Sequence, residues 1–105
     1  MWIFADSFLS IVRDESNKKN LLVRSRFPRD IGRIFPTARV RQTPKFDYPF
    51  RASIDEDVVA DGIARRIRAI DYGNFKASIV DGKRAAVYHA VWDIMRRAQA
   101  WNYEK

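Results

Sequence analysis

The sequence predicts an α+β fold: a two-layer sandwich in which a mostly antiparallel sheet of about five strands carries its helices on one face. Apolar and polar residues alternate in short runs through the first half of the chain, as they do in strands of a half-buried sheet. Apolar residues recur at helical spacing in the second half. Proline and polar turn residues separate these runs. The predicted order is β-β-β-α-β-β-α-α, and the length of 105 residues favours a single domain, 1–105.

The first three elements are predicted strands. Residues 2–5 and 8–13 are aromatic and β-branched runs, and the polar pair at 6–7 between them indicates a β-hairpin. Residues 14–20 form a polar turn, and residues 21–27 follow as a third strand.

A short helix and two more strands come next. Pro28 suits the first turn of a helix over 29–35, which Pro36 closes because proline cannot continue the hydrogen-bonded backbone. Residues 38–43 and 50–54 are then predicted as the fourth and fifth strands.

The C-terminal half is predicted to be helical. A capping box begins at Ser53, with Asp55 as a second N-cap candidate, and an amphipathic helix follows. Residues 71–74 break that helix, and residues 75–80 form one further helical turn. The longest helix runs from residue 83 to about Asn102, and its wide apolar stripe indicates packing on two sides.

The positive charge is concentrated in the middle of the chain. The formal net charge is +7, and residues 21–54 hold eight basic side chains against two acidic ones. Seven of those eight cations are arginine, whose planar guanidinium suits bidentate contacts with phosphate or carboxylate.

Strand alternation predicts that arginines from three strands share one face, because residues two apart point to the same side. We call this set the predicted basic patch; it comprises Arg24, Arg26, Arg39, Arg41 and Arg51. One interpretation is a solvated sheet face, on which charges discourage aggregation. The other is a docking surface for an acidic partner, since like charges opposite each other destabilise a sheet unless an anion relieves them.

Aromatic residues bear on the choice of partner. A platform for single-stranded nucleic acid needs aromatic rings on the arginine face. The candidates, which we expect mostly in the core, are Trp2, Phe4, Phe8 and Tyr48.

No catalytic, metal or cofactor site is predicted. The chain has no cysteine, and its one histidine, His89, has no partner at a known motif spacing. The four glycines are scattered and form no phosphate-binding loop. The acidic cluster around Asp57 and Asp61 is interpreted as a helix start, where carboxylates meet the helix dipole favourably.

The segment from Asp71 to Lys76 mixes aromatic and polar groups. As structure, Asp71 or Asn74 caps a helical turn while Tyr72 and Phe75 anchor the junction. As function, Tyr72 and Lys76 form a protein-contact site. We favour the structural interpretation and keep both residues as binding candidates.

Several segments together resemble a family of small, uncharacterised bacterial proteins of about 100 residues. They are the runs Phe-Leu-Ser-Ile-Val at 8–12, Leu-Leu-Val-Arg at 21–24, Asp-Tyr-x-Phe-Arg at 47–51 and Ile-Asp-Tyr-x-Asn-Phe-Lys at 70–76. The resemblance runs nearly end to end. It implies an intact domain and brings no known activity, ligand or partner.

The sequence therefore favours a non-catalytic binding module whose arginine-rich sheet face docks an acidic protein or a nucleoprotein complex. One form of this hypothesis is an inhibitor of a host nucleic-acid-targeting system, made by a phage or mobile element. Direct binding of RNA or DNA is the first alternative, and a small enzyme using Arg and Asp/Glu groups is the second. We expect a cytoplasmic location without membrane association. A homodimer through Trp92 and Trp101 is a further hypothesis.

Overall fold

The computed structural model describes residues 1–101 and confirms the predicted α+β class. Over these residues it contains a five-stranded antiparallel sheet and four helices. The strands are β1 (Trp2–Phe4), β2 (Phe8–Arg13), β3 (Asn20–Ser25), β4 (Arg41–Gln42) and β5 (Phe50–Asp55). The helices are α1 (Asp30–Ile34), α2 (Glu56–Arg68), α3 (Phe75–Ser78) and α4 (Gly82–Gln99). The predicted end of the last helix near Asn102 lies outside the described residues.

The strand order across the sheet is β1-β2-β3-β5-β4, with every neighbouring pair antiparallel. The fifth strand therefore lies next to the third, and the two-residue β4 forms an edge. Because the loop between β4 and β5 joins adjacent antiparallel strands, it closes as a hairpin: the amide of Thr43 donates to the carbonyl of Pro49 at 2.6 Å.

The hydrophobic core lies between one face of the sheet and the first two helices. The sheet contributes alternate residues of its three central strands, among them Leu9, Val23 and Ala52, all fully buried. Ile31 and Phe35, in α1 and at its end, and Val59 of α2 complete the same cluster. Both α1 and α2 thus pack on this face; the prediction that all helices lie there stays a prediction.

The contact between α1 and α2 depends on a glycine. A Cβ atom at Gly62 of α2 would lie 2.5 Å from Cε1 of Phe35, whose ring is 2% exposed. Since buried rings in a close-packed core cannot easily move away, only glycine fits here without displacing the ring.

The N-cap of α2 is Asp55, the second of the two candidates. Its carboxylate accepts hydrogen bonds from the amides of Asp57 and Val58 at 2.9 and 3.4 Å. This satisfies donors that the first helical turn leaves without partners.

The chain divides into two compact units, Met1–Asp71 and a second that begins at Tyr72. Within the second unit, Asn74 caps α3 by accepting from the amide of Ala77 at 3.2 Å. The rings of Phe75 and Tyr88 stack at 5.6 Å and join α3 to α4. Folding of both units as one domain stays a prediction.

Three local predictions were wrong. The third strand ends at Ser25, whose hydroxyl donates to the carbonyl of Phe27, and Phe27 is exposed. The fourth strand was predicted over 38–43, but strand pairing begins only at Arg41. The amide of Ala38 instead donates to the carbonyl of Phe35, and Ala38 packs on the core. The apolar stripe of α4 is mostly exposed, and Tyr88 is its one buried residue among those described.

Candidate docking face

The register of the sheet places three arginines side by side. Arg24 of β3 lies opposite Arg51 of β5, which in turn lies opposite Arg41 of β4. Directly opposed residues point to the same side of a sheet. The next register position along, Val23 opposite Ala52, is in the core, so the three arginines point away from it. We call Arg24, Arg51 and Arg41 the arginine row and their side of the sheet the arginine face.

A loop folds over part of this row. The aromatic ring of Tyr48, between β4 and β5, lies 4.7 Å from the guanidinium carbon of Arg24 and 4.5 Å from that of Arg26. The Phe46 ring lies 4.5 Å from the guanidinium carbon of Arg51. These are cation–π distances, so the loop holds the guanidinium groups in place instead of leaving them to project freely.

Hydrogen bonds to uncharged acceptors fix two members of the row further. Arg24 donates from Nη2 to the hydroxyl of Ser10 at 2.7 Å, and Arg51 donates from Nε to the carbonyl of Tyr48 at 3.2 Å. Both arginines are half-buried. Arg41 is exposed and makes no side-chain hydrogen bond or ion pair with any of residues 1–101.

The other two members of the predicted basic patch are placed differently. Arg26 lies beyond the end of β3 and joins the row through Tyr48; it also pairs with Asp47, at 3.5 Å between Nη1 and Oδ1. Arg39 precedes β4 and is exposed, with no strand partner to fix its side. The structure therefore brings four of the five arginines together and leaves Arg39 outside the paired strands.

The charges of the row are not balanced within the described chain. Among residues 1–101, no carboxylate lies within 4.0 Å of a guanidinium nitrogen of Arg24, Arg41 or Arg51. The nearby carboxylate of Asp47 pairs with Arg26, and both of those side chains are exposed. Directly opposed like charges destabilise a sheet by a few tenths to about 1 kcal/mol a pair.

Aromatic side chains lie on the same face, which corrects the expectation that they belong to the core. Trp2 lies opposite Ser10, which in turn lies opposite Arg24. Phe4 lies opposite Phe8, two register positions along the hairpin and therefore on the same side of the sheet. The rings of Trp2 and Phe8 meet edge to face at 6.0 Å. Ile3 and Leu9 occupy the core side. Leu9 and Ile11 are apolar residues two apart in β2, which indicates that they face the core and that the residues beside them face the other side. This alternation was the sequence signal that could have placed the aromatic residues.

A buried carboxylate lies where β2 ends. Asp14 accepts one hydrogen bond from the hydroxyl of Ser53 and another from the amide of Ser16, the latter at 3.0 Å. The hydrogen bond from Ser53, followed by that from the Ser16 amide, lowers the pKa of Asp14 below its ordinary value of 3.8. This pair, which sequence reasoning missed, ties β2 to β5 across β3.

The other two candidates, Tyr72 and Lys76, are in the second unit. The ring of Tyr72 lies 6.0 Å from that of Phe75, and Nζ of Lys76 lies 4.0 Å from the ring centroid of Trp92. Together with the Asn74 cap, these contacts support the structural interpretation of the segment. The ring of His89 stacks on that of Trp92, with 5.7 Å between the ring centroids.

The described residues contain no group of three His, Asp or Glu side chains placed to hold a metal ion. None of the helices in residues 1–101 has the length and apolar character needed to cross a membrane. The fold thus defines a small α+β protein whose candidate site is a basic and aromatic sheet face. Comparison with protein-family models, curated proteins and solved structures finds no match to this chain.

Proposed function

We propose that this protein is a non-catalytic binding module that docks an acidic partner on its arginine face. The observation that carries the proposal is the arginine row: Arg24, Arg51 and Arg41 lie directly opposite one another on three adjacent strands. A bound anion would relieve the repulsion among them.

The geometry supports binding over simple solvation because two members of the row are held in place. Arg24 and Arg51 are fixed by Ser10, by Tyr48 and by the Phe46 ring. Ordering a flexible side chain on binding costs about 0.5–1.5 kcal/mol of free energy. A side chain that is already ordered loses less rotamer freedom and avoids part of this cost. Arg41, beside them, is free to reach a ligand.

Arg41 is the residue to test. We expect Arg41→Glu to lower the salt concentration at which the full chain elutes from an immobilised heparin column. The matched control is Arg68→Glu, which makes the same change of charge at an exposed position in the last turn of α2, a helix that packs on the core side. Equal shifts for the two variants would mean that retention reports net charge alone, and the proposal would be wrong.

Contact with a partner through Tyr72 and Lys76, and a homodimer through Trp92 and Trp101, stay separate predictions. Both tryptophans are exposed. Light scattering of the wild-type chain and of Trp101→Ala measures the dimer directly. A monomer at all concentrations would remove that hypothesis without affecting the arginine face.

A further inference from the structure

The arginine face carries two exposed aromatic rings, one at the β1 end of the register line and one over the arginine row. Trp2, on edge strand β1, occupies the same register line as the arginines and is 65% exposed. Phe46, which stacks on Arg51 of β5, is 55% exposed. The register line therefore runs from an open indole, through Ser10, Arg24 and Arg51 with its phenyl ring, to Arg41.

We propose that the acidic partner is a single-stranded nucleic acid, whose bases stack on Trp2 and Phe46 while its phosphates contact the arginine row. This inference rests on the proposed function and specifies its ligand. Single-strand binders combine a positively charged track for the backbone with aromatic rings for the bases, and both are present on this face. Stacking uses the ring face that every base has, so no base-specific pocket is needed.

The width of the sheet favours a single strand over a duplex. Five strands span four gaps of about 4.8 Å, or roughly 19 Å. The major groove of B-form DNA is only about 12 Å wide and admits a helix or a two-stranded ribbon. The whole line from Trp2 on β1 to Arg41 on β4 spans those four gaps and cannot enter that groove, and paired bases cannot stack on rings outside it. An unpaired strand can lie across the face with its bases turned toward the sheet, as on other sheet platforms.

The alternation of ring and charge favours nucleic acid over an acidic protein. Each nucleotide brings one base and one phosphate, and the face offers rings and guanidinium groups together: an indole, Arg24, Arg51 with its phenyl ring, and Arg41 in sequence across it. An acidic protein would use the guanidinium groups equally well but has no need of two separated open rings. The aromatic residues therefore decide between these partners.

The test measures binding of the full chain to fluorescein-labelled 12-nucleotide oligo(rU) and oligo(dT) by anisotropy, with a 12-base-pair duplex and poly-glutamate as competitors. We expect both single strands, or one of them, to bind more tightly than the duplex. The two oligonucleotides distinguish RNA from DNA, since only RNA offers the 2′-hydroxyl. The slope of log K against log salt should be about −0.7 for each phosphate contacted, and Arg41→Glu should make it shallower.

The variants test stacking separately from charge. Removing one stacking ring should weaken binding about 5- to 150-fold, so Trp2→Ala and Phe46→Ala should each do so, while Trp2→Phe should keep most of the affinity. Trp101→Ala is the matched control, because Trp101 is also 65% exposed but belongs to the second unit. Thermal unfolding of each variant shows that it is folded.

A direct signal of stacking is available from fluorescence. The chain has three tryptophans, so Trp92→Phe combined with Trp101→Phe leaves Trp2 as the only indole. Oligonucleotide stacked on Trp2 should quench its emission in proportion to binding, and poly-glutamate should not.

The outcomes separate the two proposals. The single-strand inference would be overturned if affinity is unchanged in both Trp2→Ala and Phe46→Ala, or if duplex or poly-glutamate competes equally well. Anion docking would then still hold, provided that Arg41→Glu elutes early from heparin. Loss of the Arg41 effect on heparin would overturn the proposed function, and the inference with it. Tighter binding of single strands that depends on both rings supports both.

Discussion

Gly62→Ala tests the packing of α2 against the end of α1, because the substitution has two effects of opposite sign on the free energy of unfolding. Replacing glycine by alanine inside a helix normally stabilises by about 0.5–1 kcal/mol. At Gly62 the new methyl group would lie 2.5 Å from the buried Phe35 ring, however. Overpacking of this kind costs about 1–3 kcal/mol. The net range is roughly 0–2.5 kcal/mol of destabilisation, with a central expectation of about 1 kcal/mol.

Gly32 is the matched control. It lies in α1, and a Cβ atom there would have no neighbour within 4 Å. Gly32→Ala should therefore gain the helix-propensity benefit without a clash, and the two variants should shift stability in opposite directions. Since 1 kcal/mol corresponds to about 4–8 °C in a domain of 60–100 residues, the central expectation is that Gly62→Ala melts roughly 4–8 °C below the wild type.

The assay is thermal and urea unfolding followed by circular dichroism. If the clash is the cause, a smaller residue at position 35 should recover part of the loss, so Phe35→Leu should cost less in the Gly62→Ala background than in the wild type. A double-mutant cycle measures this coupling. Stabilisation by both glycine variants, or additive effects of Gly62→Ala and Phe35→Leu, would refute the described contact between α1 and α2.

Two further predictions concern hydrogen bonds that hold the sheet and α2. Because Ser53 lowers the pKa of Asp14, the ionised carboxylate stabilises the fold above about pH 4 and loses that effect as the pH falls through its folded pKa. Asp14→Asn should lower the melting temperature at pH 7, and the difference from wild type should shrink by pH 3; a constant difference would contradict the assignment. Asp55→Ala should destabilise by about 1 kcal/mol through loss of the N-cap, whereas Asp55→Asn, which can still accept a hydrogen bond, should cost less in urea unfolding.

The candidate site was only partly predictable from sequence. Alternation correctly placed Arg24 and Arg51 opposite the core, because the period of two is a local property of a strand. It failed for Arg39 because pairing in the fourth strand begins only at Arg41. The side of the sheet that Trp2 and Phe4 occupy was left open, with the core expected for most of the aromatic residues. Their pairing with the strand that carries Leu9 and Ile11 on the core side places them on the arginine face.

By itself, the sequence determined what is local: the α+β class, an amphipathic helix that follows one of two N-cap candidates, and the concentration of arginine in residues 21–54. Each follows from residue spacing or composition within a short segment. Only the tertiary structure decided that β5 lies between β3 and β4, which aligns Arg24, Arg51 and Arg41, and that the loop carrying Phe46 and Tyr48 folds over them. Those contacts join residues that are far apart in the chain. Strand order depends on which strand pairings together bury the most apolar surface, and this cannot be read from any single segment.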